Sequence, residues 1–206
     1  MREGFVSAIR SHQQAFGLAL ADDVVERLAD YYEFVEEHNP ILHLVGPCSP
    51  EEFATRHVLE SLTMLEFLPP AARFADIGAG AGLPSIPCLL ARGDLSVVLI
   101  ESKEKKAGFL QKVIAKCKLG DRAEIINLQF SEVKPPNVSY VACRALDKFT
   151  AKLPQLLKWS GKRKLLLFGG ISLSEALKNA KRDYKSHLLP LSERRYLFSV
   201  EPNATS

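Results

Sequence analysis

No run of eighteen apolar residues occurs anywhere in this chain of 206 residues, and its opening MREGFVSAIRSHQQ lacks the apolar centre of a secretory signal. The first absence excludes an ordinary membrane-spanning helix, and the second predicts a cytoplasmic protein. Four cysteines (Cys48, Cys88, Cys117 and Cys143) form no C-x-x-C pair. Neither a metal site nor a disulfide framework is expected of them, only small reduced core or helix residues. His12, His38, His43, His57 and His187 lack the spacing of metal ligands. Internal repeats and low-complexity linkers are missing too. What remains, with 47% apolar residues, can bury a full core and suits one α/β unit.

Charge is present but divided. Residues 1–75 carry five Lys and Arg against twelve Asp and Glu, whereas residues 76–206 carry 22 against 12. An acidic region therefore sits beside a basic one able to meet phosphates.

The acidic region reads as helical. DDVVERLADYYEFVEEHNP sets Val24, Val25, Leu28, Tyr31, Tyr32 and Val35 at helical spacing, with Asp22 as N-cap. Asn39-Pro40 is expected to end that helix, because the residue before proline is driven from the α region. SPEEFATRHVLESLTMLEFLPP predicts another helix, capped by Ser49, begun by Pro50 and stopped by Pro69-Pro70. From about residue 73 the period changes. RFADIG, LSVVLIES, AEIINL, SYVACRA and KLLLFGG are short, nearly continuous apolar runs separated by helical candidates. That alternation predicts a parallel, doubly wound sheet covered on both faces. The tail SHLLPLSERRYLFSVEP offers a last strand pair, expected to be antiparallel near one edge. Residues 1–72 are thus expected to form a helical region packed on a main domain of residues 73–206.

FADIGAGAGLPSIP, residues 74–87, occupies the first strand-to-helix turn. A dinucleotide fingerprint G-x-G-x-x-G/A starting at Gly78 needs a small residue where Leu83 stands, and starting at Gly80 it fails at Ser85. A phosphate loop would need a lysine that the turn lacks. What is left, Asp76-x-Gly78-x-Gly80-x-Gly82, resembles the first motif of S-adenosylmethionine-dependent methyltransferases. Glu101, at the end of the next strand in VVLIES, is placed to hydrogen-bond ribose hydroxyls. Pro84 and Pro87 read as helix-initiating residues, since first-turn donors have no intrahelical partner.

RHVLESL (56–62), DIGAGAGLPSIP (76–87), ESKEKKAGFL (101–110) and CRALDKF (143–149) together resemble the RsmG family, also called glucose-inhibited division protein B. The likeness covers roughly residues 20–200. It implies a Rossmann-like class I S-adenosylmethionine-dependent methyltransferase fold with a helical N-terminal extension. It also implies methylation of a guanine N7 in small-subunit ribosomal RNA, with S-adenosyl-L-methionine as cofactor and no metal. By position, Gly78, Gly80, Gly82 and Leu83 would sit against the cofactor, with Asp76 organising the turn. Glu101 would meet its ribose, and Phe130 and Ser131 its adenine. Arg144 would line the pocket between cofactor and substrate, contacting guanine O6 or a phosphate as the catalytic candidate. Arg56, His57, Arg194 and Arg195 are the expected RNA contacts. The structural readings beside these are an ion pair at the strand end for Arg144, a carboxylate partner for Arg56 and a helix contact for His57.

The basic stretches KEKK, GKRK (161–164) and KNAKRDYK (178–185), and Lys112, Lys116 and Lys118, could follow phosphates in part. Guanine N7 carries an in-plane lone pair, so no base need first remove a proton. The lack of a catalytic dyad is consistent with that. Departures exist: Phe168-Gly169-Gly170 replaces a lysine-glycine pair, His43-Leu44-Val45 replaces asparagine-leucine-threonine, and Gln129 stands where a basic residue is expected. They leave open a non-catalytic RNA-binding or ribosome-assembly protein. A nicotinamide-dependent oxidoreductase is opposed by Leu83.

Overall fold

The computed structural model describes residues 1–144, 146 and 148–202. Helix α1 (Arg2–His12) and helix α2 (Asp22–Leu42) lead into a continuous helical run. That run is α-helical over α3 (Pro50–Glu52), π-helical over Phe53–Leu59, α-helical again over α4 (Glu60–Leu62) and 3₁₀ over Thr63–Phe67. Strand and helix then alternate through β1 (Arg73–Ile77), α5 (Ser85–Ala91), β2 (Ser96–Ile100), α6 (Glu104–Lys116) and β3 (Ala123–Ile126). A single 3₁₀ turn, Phe130–Glu132, precedes β4 (Tyr140–Arg144) and α7 (Phe149–Ser160). The chain closes with β5 (Lys164–Gly169), α8 (Ile171–Asn179), β6 (Tyr184–Leu188) and β7 (Tyr196–Val200).

The seven strands lie in the order β3-β2-β1-β4-β5-β7-β6. β1 to β5 run parallel, and β7 runs antiparallel between β5 and β6. Alternation along each strand sorts the core into two layers. Phe74, Val97 and Leu99 face the layer containing α1, α2, α5 and α6 residues, whereas Ala75, Ile77, Val98 and Ile100 face α7 and α8. Phe5, Tyr32 and Phe53 cluster inside the first layer, with Phe5 stacked on Tyr32 at 4.7 Å, so α1, α2 and the π-helical segment share one core with the sheet. Among the described residues no helix is long and apolar enough to cross a membrane.

Local signals behaved as chemistry requires at Ser49, whose hydroxyl accepts from the Glu52 N–H while Glu52 accepts from the Ser49 N–H. Two expectations need correction. Asp22 is the first helical residue and Ala21 the N-cap, because the Asp22 carboxylate is engaged with Arg10 instead. Pro40 does not end α2, which runs to Leu42 and closes at His43 in the left-handed region, φ 48°. A proline so near the C-terminus removes only one ladder bond, and the Asn39 side chain secures the exit by accepting from the Val45 N–H. Helix α8 lies between β5 and the tail, where the sequence reading named no helix.

Candidate functional site

The glycine turn is fastened at both ends. Gly78 N–H donates to the Ile100 carbonyl at 2.8 Å, continuing the β1–β2 ladder past the strand. Glu101 follows β2 and is buried, with Oε2 accepting from the Gly80 N–H at 2.9 Å and Oε1 from the Lys103 N–H at 2.8 Å. Tyr31, wholly buried on α2, donates its hydroxyl to the Ala81 carbonyl at 2.9 Å. The helical region is therefore tied directly to the turn. Gly82 has φ +90°, and a Cβ there would run into the Ile86 side chain of α5. Its missing side chain lets helix and turn close on each other.

Beneath the turn lies Asp76. Its Oδ2 accepts from the Ser85 hydroxyl at 2.5 Å, while its Oδ1 is buried and has no partner among the described residues. Burial pushes this carboxyl up to about 7, against the Ser85 hydrogen bond and with some help from the Glu101 charge. The Leu83–Pro84 peptide is cis, and Pro84 is the residue before α5, with Pro87 in its first turn.

A cavity of about 490 Å³ opens above the turn, at the carboxyl ends of β1, β2 and β4 where the strand order reverses. Both the volume and the place suit a small-molecule site. Gly78 to Ala81 and Leu83 form one wall, and Glu101 to Lys103 with Lys106 form a second. Leu44 to Gly46, from the loop after α2, cover it on another side; His57, Gln129, Arg144, Leu146 and Lys152 complete it. Lys106 holds that loop through its Nζ, 3.3 Å from the His43 carbonyl, and burial lowers its pKa.

Arg144 ends β4 with a side chain only 13% exposed. Its Nη2 donates to the Arg56 carbonyl at 2.5 Å and to Glu60 Oε2 at 3.2 Å, and its guanidinium lies 5.3 Å over the Phe168 ring. His57 is brought beside it by the π-helical segment, packed on Phe53 at 5.2 Å. Its Nδ1 is buried without a partner among the described residues, and burial followed by the nearby Arg144 and Arg56 charges lowers its pKa to about 4. The imidazole is neutral at pH 7.

Next to this cavity, across Glu60, lies a cleft of about 270 Å³ walled by Arg56, Glu60, Arg194 and Arg195 with Thr55 and Leu191. Arg195 Nε donates to Glu60 Oε1 at 2.7 Å. Topology explains why these arginines arrive here. β7 runs against its neighbours and pairs Tyr196 with Gly169 at the end of β5, so the residues before β7 fall at the same sheet edge as the cavity. GKRK leads into the start of β5 and KNAKRDYK into the start of β6, at the opposite edge. Arg163 there donates to the Pro136 carbonyl at 2.7 Å and Arg182 to the Glu201 carbonyl at 2.8 Å, both structural uses.

Of the residues singled out by sequence, Gly78, Gly80, Leu83, Glu101, Arg144 and His57 line the cavity together. Asp76 and Gly82 lie under it. Phe130 is absent from its wall because its ring is buried edge-on against Trp159 at 5.9 Å, and Ser131 is exposed beside it. Gln129 takes the lining position at that loop. Arg56, Arg194 and Arg195 stand in the neighbouring cleft rather than in the cavity. Sequence reasoning missed Lys106, Lys152, Leu44 to Gly46 as lining, and Glu60. For Glu60 the available signal was a lone acid inside RHVLESL, where a solvated helix face is the ordinary expectation. Among the described residues, no group of three His, Cys, Asp or Glu comes together as a metal set.

Comparison with known proteins gives the site a context. A family model described as rRNA small subunit methyltransferase G matches residues 24–195. The chain is 41% identical over 116 residues to the ribosomal RNA small subunit methyltransferase G of Sorangium cellulosum, a match covering 55% of this chain and 47% of that one. Against the protein of the same name from Neisseria meningitidis it is 28% identical over 153 residues, covering 74% and 72%. The matched segment spans about half the length of the Sorangium relative and 57% of one from Azoarcus. Among solved structures, N,N-8-amino-8-demethyl-D-riboflavin dimethyltransferase from Streptomyces davawensis superimposes with a TM-score of 0.61 at 19% identity, covering 92% of this chain and 69% of that one. Pyrococcus horikoshii TYW2 in complex with MeSAdo gives 0.52 at 16% identity, covering 70% and 61%. These structural likenesses concern the fold.

Proposed function

Because this chain belongs to the rRNA small subunit methyltransferase G family, we propose that it transfers a methyl group from S-adenosylmethionine to N7 of a guanine in small-subunit (16S) ribosomal RNA. The observation that carries the reading is the joint between Glu101 and the Gly80 N–H at the floor of the 490 Å³ cavity, which Arg144 also lines. The bound cofactor supplies an electrophilic methyl group. Gly78, Gly80 and Leu83 are the residues that would hold it, on a backbone surface free of the pyrophosphate grip a dinucleotide needs. Glu101, which lines the cavity while its oxygens pin the turn, is the residue that would meet ribose hydroxyls. Asp76 and Gly82 act from below, by shaping that floor. Phe130 and Ser131 act, on this reading, through the loop that presents Gln129.

Guanine N7 needs no deprotonation, so the task left to the protein is placement. Arg144 donates toward guanine O6, and its ties to Arg56 and Glu60 fix the direction of the fork. A neutral His57 adds no charge beside the reacting nitrogen. A base carried in a loop or single strand is the form that can be extruded into such a cavity. Arg56, His57, Arg194 and Arg195 form the RNA-facing rim, residues 1–72 and 73–206 work as one unit, and the reaction belongs to the cytoplasm.

The test is incorporation of labelled methyl groups into small subunits from a strain lacking the gene, followed by mapping of the base. Label on one guanine is expected. Arg144→Ala lowers transfer about 100-fold while leaving S-adenosylhomocysteine affinity within a few-fold, since it removes substrate placement and leaves the turn intact. Absence of label on every ribosomal particle, despite cofactor binding, would overturn the reaction in favour of an assembly protein.

A further inference from the structure

One carboxylate separates the two cavities. Glu60 is 1% exposed, and each of its oxygens serves a different arginine: Oε1 accepts from Arg195 and Oε2 from Arg144. The two arginines come from strands separated by β5, one closing β4 and one preceding β7, and meet at the same edge of the sheet. Arg195 engages Glu60 through Nε alone at 2.7 Å, so both its terminal amino groups stay without an acceptor among the described residues. The Arg194 side chain likewise makes no hydrogen bond or ion pair among them. Ser192 fixes the loop beneath, its hydroxyl accepting from the Arg194 N–H at 3.3 Å and the Arg195 N–H at 3.0 Å. Arg56 reaches Glu52 only at 3.3 Å across an exposed face. Three guanidiniums thus converge on a small cleft that, among the described residues, contains one carboxylate, already shared by Arg195 and Arg144.

We propose that this cleft is a subsite for one backbone phosphodiester of the substrate RNA, and that Glu60 is the positioning residue that sets Arg195 for the phosphate and Arg144 for the base at once. A planar fork that presents two parallel N–H groups matches phosphate oxygens, provided something else holds its third edge. Glu60 is that holder. Because the same carboxylate holds Arg144, seating the phosphate fixes how far along the strand the extruded base lies from the cavity. The proposal rests on the RNA substrate assigned above.

Its distinguishing consequence is one of sign. An acid that acted through charge alone would repel a phosphate, so its removal would tighten RNA binding. A positioning acid does the reverse. Glu60→Gln is expected to weaken binding of small-subunit RNA about tenfold, measured with S-adenosylhomocysteine bound, and to flatten the slope of log affinity against log salt by about 0.7, one lost contact to a single strand. In turnover, KM for the particle rises by about tenfold while KM for S-adenosylmethionine stays within about twofold. Glu60→Asp restores part of the affinity. Arg195→Lys keeps the charge and loses the fork, and is expected to weaken RNA binding about as much as Glu60→Gln with the Glu60 carboxylate itself still present.

RNA binding by Glu60→Gln that equals or exceeds wild type overturns the proposal. So does a parallel fall in cofactor affinity and thermal stability with no separate RNA effect. Inorganic phosphate at millimolar concentration that stabilises wild type, but not Arg195→Lys, without competing with RNA would move the cleft to a free phosphate and overturn the backbone assignment. Glu60-dependent RNA binding by a wild-type protein that transfers no methyl group would break the proposed reaction and leave the subsite standing.

Discussion

The cavity over the glycine turn and the cleft beyond Glu60 are neighbours built from different material. The floor of the first is backbone from one contiguous stretch, Asp76 to Leu83, held by N–H and carbonyl groups that any residue could supply. The second is made of long side chains from positions 56, 60, 194 and 195, gathered from two separate parts of the chain. A backbone surface changes when a side chain is added where none fits. A guanidinium cluster changes when its anchor is taken away. The first is steric and almost independent of salt; the second is electrostatic and weakens as counterions screen it.

The strongest way to sharpen this contrast is Gly82→Val. Its Cβ would occupy the place of the Ile86 side chain at a φ that L-residues rarely adopt, so affinity for S-adenosylhomocysteine is expected to fall about 100-fold or more by calorimetry. Gly80→Ala supplies the internal comparison. The nearest atom to a Cβ there is the Gly78 carbonyl oxygen at 3.7 Å, leaving only the cost of φ +54°, and a loss of about tenfold or less is expected. Equal effects at the two glycines would break the steric account.

Asp76 offers a second test, below the floor. Its folded pKa stands near 7, above the ordinary carboxyl value of 3.8, so the folded state holds a proton there that the unfolded chain has released. Stability from this group is complete below about pH 4 and is lost as pH rises through about 7, amounting to a few kcal/mol. Asp76→Asn should remove this fall from a series of denaturant titrations between pH 4 and 7. A decline of the same size in the variant would assign it elsewhere. His57 runs the other way: its lowered pKa contributes stability above about pH 6.5 that is lost as pH falls toward 4, so the asparagine variant exposes that slope alone.

The smallest expected effect is at the far edge of the sheet. Lys162→Ala with Lys178→Ala removes two charges from the basic half of the sequence, yet should change RNA affinity by about twofold at most at physiological salt, because neither faces the cavity edge. A loss as large as that of Glu60→Gln would show that charge total matters more than placement.

Much of the site was legible because it is local. A strand, three alternating glycines and a proline-rich helix start must be adjacent in sequence to make a turn, so Gly78, Gly80 and Leu83 were legible as one unit, and Glu101 as the acid ending the next strand; all four line the cavity. Phe130 was not resolvable by position, because a phenylalanine beside a loop serves a core or a ligand equally well until Trp159 is seen against it. Pro40 misled for a similar reason: its penalty is local, falls in the last turn of α2, and the chain beyond is held by the Val45 N–H donating to Asn39. The resemblance had singled out Arg194 and Arg195, but only the reversal of β7 shows why they differ from GKRK: it puts them on the cavity edge and leaves GKRK on the other.

The sequence by itself determined the parallel sheet, the glycine turn and its fitness for a cofactor without pyrophosphate, since each depends on spacing within a few residues and on the steric freedom of glycine. The tertiary structure alone decided that Glu60 is buried between Arg144 and Arg195, that His57 is neutral, and that the arginines before β7 share an edge with the cavity. Those are properties of groups far apart in the chain, and their charges acquire a role only when folding fixes the distance between them and removes the water that would otherwise screen it.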